Sequence, residues 1–229
     1  MRVISYNLRK HAAVGELADL VAAHEPNLVC LQEIDTSQLP AELGPLHLAD
    51  ATKRNRLGLA VYYNRERFES RATAAFALKK SLHDHIAAPA HERVLGTHLV
   101  DLESGRELVV ASFHAAPLTA LNSLRRKQIH AAHEALRGFG ESLPTLMVGD
   151  FNYPVFKDFL GADVRGTGYD LTLSDERTYT RYKFFRGHFD FATSIGLDIR
   201  SVRTLPRGAS DHLPIMVAAD YRDRAEAAA

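Results

Sequence analysis

Two short motifs place acids, an amide and an imidazole beside apolar segments of the chain. Asp150 and Asn152 follow the apolar run of residues 146–148, and Asp211 and His212 precede a second apolar run. Two strand ends can therefore bring these four side chains to one point. Such a set of groups can hold a divalent metal, orient a water molecule and support a phosphate.

Two further polar residues stand beside apolar runs earlier in the chain. Asn7 follows residues 3–6, and Glu33 comes soon after residues 28–31. A hard cation such as Mg²⁺ prefers oxygen ligands, so Glu33 is the first choice of metal ligand, with Asn7 and Asp211 nearby. The metal would polarise a phosphoryl oxygen and stabilise a leaving oxyanion.

The remaining candidate residues could position the attacking water and the phosphate. Asp150 could orient or deprotonate the attacking water, and Asn152 could hold that water or a phosphate oxygen. His212 would contact the phosphate, and Asp190 is the best candidate for the acid behind its ring. His114, at the end of a predicted strand, could be a second donor. Each residue alone could be a turn, cap or structural residue, so the prediction depends on their joint occurrence at strand ends.

Composition limits the class of protein without identifying a substrate. The 229 residues carry 28 basic and 28 acidic side chains, so net charge does not indicate a nucleic-acid binder, although a local basic groove would suffice. Cys30 is the only cysteine and lies in an apolar run, which predicts a packed core residue and a reducing compartment. We find no secretory signal and no apolar run of bilayer length, so we expect a cytoplasmic monomer.

The hydrophobic pattern predicts many strands and few helices. Residues 2–33 form a strand–helix–strand unit, which favours parallel pairing, and a hairpin turns at Ser104-Gly105. Residues 117–139 are the longest predicted helix, with Arg125 on its solvated outer face. Residues 161–180 are predicted to be loop-rich, with Gly161 at their start as a helix stop. Two stacked sheets with helices outside would bury this pattern in one domain over residues 1–220, with residues 221–229 as a frayed tail.

Six motifs, in this order, resemble the endonuclease/exonuclease/phosphatase superfamily over residues 2–218. They are Ser5-Tyr6-Asn7, Leu31-Gln32-Glu33, Ser112-Phe113-His114, Gly149-Asp150-Phe151-Asn152, Phe189-Asp190 and Ser210-Asp211-His212-Leu213-Pro214. The resemblance implies an α/β fold, a four-layer α-β-β-α sandwich with two central mixed sheets. It also implies a Mg²⁺- or Mn²⁺-dependent phosphoester hydrolase.

Carried over by motif, the resemblance implies a role for each candidate residue. Glu33 would be the metal ligand, with Asn7 and Asp211 supporting the site. Asp150 and Asn152 would handle the water and the phosphate, and Asp190 and His212 would form an acid–imidazole pair. Arg93 resembles a phosphate-contacting arginine. Arg9 is expected from its position alone, two residues after Asn7, to lie near the metal and to contact a substrate phosphate. The roles are assigned to Glu33, Asn7, Asp211, Asp150, Asn152, Asp190, His212, Arg93 and Arg9.

The chain also departs from the deoxyribonuclease-type pattern. In those members a glutamate on an earlier strand supports the histidine that matches His114, whereas residues 56–59 here contain no acid. The chain is compact and contains no tryptophan to wedge or stack.

Three functions therefore remain open. The leading hypothesis is a metal-dependent endo- or exonuclease on DNA or RNA. The alternative is a phosphatase or phosphodiesterase on a small-molecule or lipid-headgroup phosphoester, and the third is a non-catalytic binding module. A basic and aromatic patch at residues 179–186 suits nucleic acid, and an ordinary loop anchored by its aromatic residues explains it equally well.

Overall fold

The described part of the chain contains thirteen strands and three α-helices with defined bounds. The computed structural model describes residues 1–53, 55, 57–82, 91–153, 157–180 and 187–222. The strands are β1 (Arg2–Asn7), β2 (Leu28–Ile34), β3 (Glu42–Leu43), β4 (Leu46–Ala51), β5 (Gly58–Asn64), β6 (Phe68–Ala77), β7 (Glu92–Asp101), β8 (Arg106–His114), β9 (Thr145–Asp150), β10 (Asp170–Leu173), β11 (Asp190–Ile195), β12 (Leu197–Thr204) and β13 (Ile215–Tyr221). The helices are α1 (Leu17–His24), α2 (Asn122–Phe139) and α3 (Lys157–Gly166).

The strands form two mixed sheets. Sheet I has seven strands in the order β12-β13-β1-β2-β5-β4-β3, and sheet II has six in the order β10-β11-β9-β8-β7-β6. Each sheet contains one parallel pair, β1 with β2 in sheet I and β8 with β9 in sheet II. A helix crosses over between the strands of each pair, because parallel neighbours need a long connection. The predicted parallel strand–helix–strand unit is confirmed.

Three apolar layers hold the sandwich together. The first lies between the sheets and contains side chains of both, including Cys30 and Val148. The second packs sheet II against α2 and α3, and the third packs sheet I against α1. Central strands are buried on both faces, which explains their nearly continuous apolar sequences. The predicted four-layer α-β-β-α arrangement is confirmed.

Two helix predictions need correction. Helix α2 begins at Asn122, not at residue 117, and Arg125 is only 2% exposed instead of lying on the solvated face. Residues 161–180 are not mainly loop, because α3 and β10 occupy much of that range. Gly161 suggested a helix end, yet it lies inside α3, where Leu160 and Val164 form a buried i, i+4 pair against sheet II.

Some predicted features lie outside the described residues. These are most of the basic and aromatic patch, residues 181–186, and most of the expected tail, residues 223–229. Within the described ranges, no helix has the length and apolarity needed to cross a bilayer.

Candidate active site

The predicted residues meet where the parallel strand pairs of the two sheets end. Asn7 is the last residue of β1, and Glu33 lies near the end of β2. His114 and Asp150 are the last residues of β8 and β9 and are paired in register. Each parallel pair therefore delivers two polar side chains to the same edge of the sandwich.

Asp150 is at the centre of the cluster. Its Oδ2 accepts hydrogen bonds of 3.0 Å from Asn7 Nδ2 and 3.0 Å from Asn152 Nδ2. The same oxygen lies 3.6 Å from His114 Nε2 and 3.7 Å from His212 Nε2. The Asn152 backbone N–H donates to Oδ1 at 2.8 Å. One buried carboxylate thus touches or faces four candidate residues from four parts of the chain.

His212 and Asp190 form the predicted acid–imidazole pair. His212 Nδ1 lies 2.8 Å from Asp190 Oδ2, and both residues are buried. The Thr178 hydroxyl accepts the backbone N–H of Asp190, which fixes the start of β11. Burial alone would lower the pKa of His212, but the carboxylates of Asp190 and Asp150 outweigh it and raise the pKa to about 10. His212 is therefore a cationic donor at neutral pH.

His114 has the opposite electrostatic character. Burial lowers its pKa to about 4, despite the nearby carboxylate of Asp150, and Arg93 lowers it further. Its Nδ1 is buried without a hydrogen-bond partner in the described structure.

Glu33 reaches the cluster through an irregular backbone. It interrupts the pairing of β2 with β5, and its φ of 54° lies in the left-handed region. A bulge of this kind redirects a side chain at a strand end. Oε2 accepts the backbone N–H of Lys10 at 3.0 Å, while Oε1 lies 3.8 Å from His114 Nε2.

A left-handed turn after β1 holds Asn7 and Glu33, two of the three predicted metal-site residues. Arg9, Lys10 and His11 have φ values of 47°, 55° and 70°. Their successive N–H groups donate to Asn7 Oδ1, Glu33 Oε2 and the Glu33 carbonyl oxygen. Non-glycine residues rarely adopt this conformation, which costs on the order of 1–2 kcal/mol per residue. Strain is thus concentrated beside the cluster.

The motifs and the fold of this chain match those of known proteins. The model of the endonuclease/exonuclease/phosphatase family matches residues 4–212. The chain belongs to this family. Members of the family are phosphoester hydrolases, so the prediction of an enzyme of that class is confirmed.

Individual relatives of this family differ in activity. The chain is 27% identical over 165 residues to "Protein angel" of Drosophila melanogaster, covering 65% of this chain and 44% of that protein. The mannosyl-6-phosphatase Bt3783 of Bacteroides thetaiotaomicron superposes with a TM-score of 0.77 at 18% identity, covering 96% and 100% of the two chains. TDP2 of D. rerio, complexed with a single-stranded DNA product, superposes with a TM-score of 0.73 at 14% identity, covering 96% and 98%.

Enzymes of this family generally depend on a divalent metal, and the predicted ligands have the oxygen atoms that such an ion needs. Glu33 and Asp211 supply carboxylate oxygens and Asn7 an amide oxygen, the ligands that hard cations prefer. Burial raises the pKa of Asp150, which His212 opposes and Asp190 reinforces. A nearby divalent cation would favour the ionised form of that carboxyl group.

A second grouping of potential ligands is less suitable. Asp150, Asp190 and His212 have ligand atoms within 4.8 Å of one another. His212 Nδ1 is already bonded to Asp190, so Nε2 is the ring atom left for a metal. Imidazole nitrogen suits softer metals than Mg²⁺, so the oxygens near Glu33 are the better site for a hard cation.

The two predicted phosphate-contacting arginines have different positions. Arg9 is half-exposed, with Nε 3.8 Å from Asp211 Oδ2. Arg93 is 2% exposed, and its Nη1 donates to the carbonyl oxygens of His114 and Ala115 at 2.9 and 2.8 Å. This position does not suit a direct phosphate contact, because the guanidinium group is turned into the protein. The structure favours a supporting role for Arg93.

Sequence reasoning missed a polar bridge beneath the site. Gln32 Nε2 donates to Ser112 Oγ at 2.9 Å and to Ser5 Oγ at 3.2 Å, and Ser112 Oγ donates to the Leu31 carbonyl oxygen at 2.9 Å. The bridge crosses from sheet I to sheet II one or two residues before Asn7, Glu33 and His114. These residues already stand in the Ser-Tyr-Asn, Leu-Gln-Glu and Ser-Phe-His motifs, and their partners become visible only when the sheets are packed.

Proposed function

We propose that this protein is a Mg²⁺- or Mn²⁺-dependent phosphodiesterase that cleaves DNA or RNA. The observation that carries the proposal is the position of Asp150 Oδ2, which is bonded to Asn7 and Asn152 and faces the Nε2 atoms of two histidines. This oxygen therefore lies near one cationic and one neutral histidine, at a point where a phosphoryl group can be held and attacked.

The proposed mechanism assigns a separate task to each group. Asp150 orients the attacking water and accepts its proton, and Asn152 holds the water or a phosphate oxygen. The cationic His212 donates from Nε2 to a phosphoryl oxygen as negative charge develops there. Asp190 keeps that ring oriented through Nδ1, and the neutral His114 offers a second contact.

The metal-binding task is proposed for Glu33, with Asn7 and Asp211. A divalent cation bound there would polarise the phosphoryl group and stabilise the leaving oxygen. The Lys10 N–H engages Glu33 Oε2, so Oε1 is the oxygen left toward the site. Arg9, half-exposed beside Asp211, would contact a substrate phosphate.

Nucleic acid is favoured as the substrate by the cations at the entrance. Arg9 and the exposed Lys10 flank the metal-site residues, where they can contact phosphates next to the scissile one. The related fold of TDP2 holds a single-stranded DNA product. We propose a monomeric, cytoplasmic enzyme.

A small phosphoester is the second candidate. The mannosyl-6-phosphatase shares the fold over nearly the whole of this chain. Balanced charge, with 28 basic and 28 acidic residues, does not require a polyanionic substrate. The same catalytic residues would act on a sugar phosphate or a lipid headgroup.

Nicking of supercoiled plasmid tests the proposal directly. We expect purified protein to nick DNA with Mg²⁺ or Mn²⁺. Nicking should stop when EDTA removes the metal. His212→Ala should lower the rate by at least about 100-fold, because it removes a positioned proton donor. His130→Ala is the matched control, since His130 lies on α2 and is 41% exposed, and it should retain full activity.

Parallel substrates separate the two candidates. RNA oligonucleotides, a sugar 6-phosphate and a lipid-headgroup phosphodiester are assayed with the same proteins and metals. Release of phosphate or headgroup without strand cleavage would favour the small-substrate alternative. Tight binding without turnover on every substrate would instead indicate a non-catalytic binding module.

A further inference from the structure

Two buried arginines hold the main chain that carries His114. Arg93 Nη1 donates to the carbonyl oxygens of His114 and Ala115 at 2.9 and 2.8 Å. Arg125 donates from Nε to the Ala116 carbonyl oxygen at 3.1 Å and from Nη2 to that of Pro117 at 2.6 Å. Four successive carbonyl groups, residues 114–117, are therefore bound by two guanidinium groups from different elements, β7 and α2.

A third side chain completes this clamp. Gln128, one turn after Arg125 on α2, accepts the backbone N–H of Ala116 at 2.8 Å and donates to the Lys79 carbonyl oxygen at 2.7 Å. Arg125 is fixed in turn by its bond from Nη1 to Asn122 Oδ1 at 2.7 Å. Most polar groups of this segment thus have a defined partner, and its course is set by side chains outside it.

Burial of both guanidinium groups is unfavourable by itself. Arg93 and Arg125 are each 2% exposed, and transfer of a cation out of water carries a large desolvation cost. Hydrogen bonds to carbonyl groups offset that cost only when the geometry is good. An apolar side chain at either position would avoid this desolvation cost. The use of two arginines therefore indicates that they position the main chain.

His114 needs this support because no described side chain bonds to the far nitrogen of its ring. Its Nδ1 has no hydrogen-bond partner within the described residues, while Nε2 faces Asp150 at 3.6 Å and Glu33 at 3.8 Å. Without an acid at Nδ1, the position of Nε2 depends on the Cα position and on packing. That Cα position is what the two arginines determine.

We propose that Arg125 and Arg93 are positioning residues that hold residues 114–117 so that His114 Nε2 faces the phosphoryl group beside Asp150. This inference rests on the proposed function, because it gives the clamp a catalytic purpose. Neither arginine touches substrate in this scheme, and both act through His114.

A double-mutant cycle tests the proposal. Arg125→Met should lower kcat/KM by at least about tenfold, because a small displacement of a catalytic contact is costly. In a His114→Ala background, the same change should have less than about a twofold effect, because coupled residues are not additive. Arg125→Lys, which keeps one donor group, should recover part of the activity. Lys127→Met is the matched control, since Lys127 is an exposed cation on the same helix.

The NMR signals of the histidine rings give a readout that does not depend on catalytic turnover. In labelled protein, Arg125→Met should shift the ring signals of His114 and leave those of His24 on α1 in place, while Lys127→Met shifts neither. Equal losses of activity in the presence and absence of His114, or unchanged His114 signals, would overturn the proposal. If Arg125→Met does not fold, Arg125→Lys and Arg93→Lys carry the same cycle and the same spectra.

The two proposals can fail separately. If wild-type protein hydrolyses no phosphoester with Mg²⁺ or Mn²⁺, the proposed function is wrong, and the ring signals still decide whether the arginines position His114. If hydrolysis is observed and the cycle shows additivity, the function stands and the positioning role is rejected.

Discussion

At the scale of single residues, two buried histidines near one carboxylate are in opposite states. His212 has a carboxylate at each ring nitrogen, Asp190 at 2.8 Å and Asp150 at 3.7 Å, and its pKa is raised to about 10. His114 has no acid at Nδ1, and burial lowers its pKa to about 4. The difference in partners makes one ring a cation and leaves the other neutral at pH 7.

Asp190→Asn should change the pH dependence of the enzyme. Asparagine can still accept the His212 Nδ1–H, but removal of the negative charge lowers the pKa of His212. Since the cationic ring exists only below that pKa, the alkaline fall in kcat/KM should move to lower pH in the variant. We also expect activity at pH 7 to fall at least about tenfold.

Rates measured from pH 6 to pH 10 check this prediction. Wild-type protein should retain activity to higher pH than Asp190→Asn, and His130→Ala should follow the wild-type profile. An unchanged alkaline limb in Asp190→Asn would show that His212 does not act as a cation.

Residue types alone identified most of the cluster but not its supports. Asp150, Asn152, Asp190 and His212 could be selected because acids and imidazoles at strand ends are chemically conspicuous. The Lys10 contact with Glu33 could not, because it is made by a backbone N–H in a left-handed turn. Such a contact depends on main-chain conformation and leaves no pattern in side-chain type.

At the scale of elements, the two parallel strand pairs explain how the cluster is assembled. Sheet I contributes the ends of β1 and β2, and sheet II contributes the ends of β8 and β9. The start of β11 lies at the end of β9, with Asp190 opposite Asp150. Strand β13 is antiparallel to β1, so the segment before it returns Asp211 and His212 to the same edge.

Gly149→Ala should disrupt the β8–β9 pair. Gly149 has a φ of 151°, and an added Cβ would lie 1.9 Å from the Phe113 carbonyl oxygen. We expect the free energy of unfolding to fall by about 3 kcal/mol or more, because rigid backbone cannot yield to this contact. Phosphoesterase activity should fall with it, since the strand ends place His114 and Asp150.

Gly138→Ala is the matched control for that measurement. Gly138 lies in α2, and an added Cβ would meet nothing within 4 Å. Alanine there should raise the free energy of unfolding by about 1 kcal/mol through its higher helix propensity. Urea denaturation of both variants decides the matter, and a stable Gly149→Ala protein would contradict the assigned strand geometry.

Some strands could be predicted clearly from the sequence, whereas helix α3 and strand β4 could not. Buried strands such as β1, β2 and β9 have apolar runs bounded by polar residues, which marks them clearly. Helix α3 was missed because Gly161 suggested a helix end, although only contacts with sheet II make its Leu160 and Val164 a buried pair. Strand β4 is only partly buried and has a weak pattern. Tertiary packing decided these cases over local preference.

At the scale of the whole molecule, the cluster depends on the packing of one sheet against the other. Asn7 and Glu33 belong to sheet I, whereas His114 and Asp150 belong to sheet II. The bond from Asn7 Nδ2 to Asp150 Oδ2 therefore crosses between sheets, as does the bridge from Gln32 to Ser112. Loss of sheet packing would separate the proposed metal ligands from the residues proposed to position the water.

Acid should weaken the molecule through a histidine outside this cluster. His133 on α2 lies between the hydroxyl groups of Thr167 and Thr193, at 2.8 and 2.9 Å, and stacks on Tyr169 with ring centroids 3.8 Å apart. It thereby joins α2 to β11 and to the segment after α3. Burial lowers its pKa to about 3, and nearby His130 and Arg137 add to the effect.

The sign of the resulting pH dependence follows from proton uptake. Between about pH 6.5 and pH 3 the unfolded chain holds a proton on His133 that the folded protein does not, so stability rises with pH in that window. This group alone should remove about 1.4 kcal/mol of unfolding free energy per unit as pH falls through it. His133→Gln cannot take up that proton, so its stability, although lower at pH 7, should fall less steeply below pH 6. Urea denaturation from pH 7.5 to pH 5 measures the free energy of unfolding of the wild type and of His133→Gln. Both proteins retain His114 and His212, so the contributions of these two residues cancel in the difference. Parallel stability curves would mean that His133 has the same pKa in the folded and the unfolded protein.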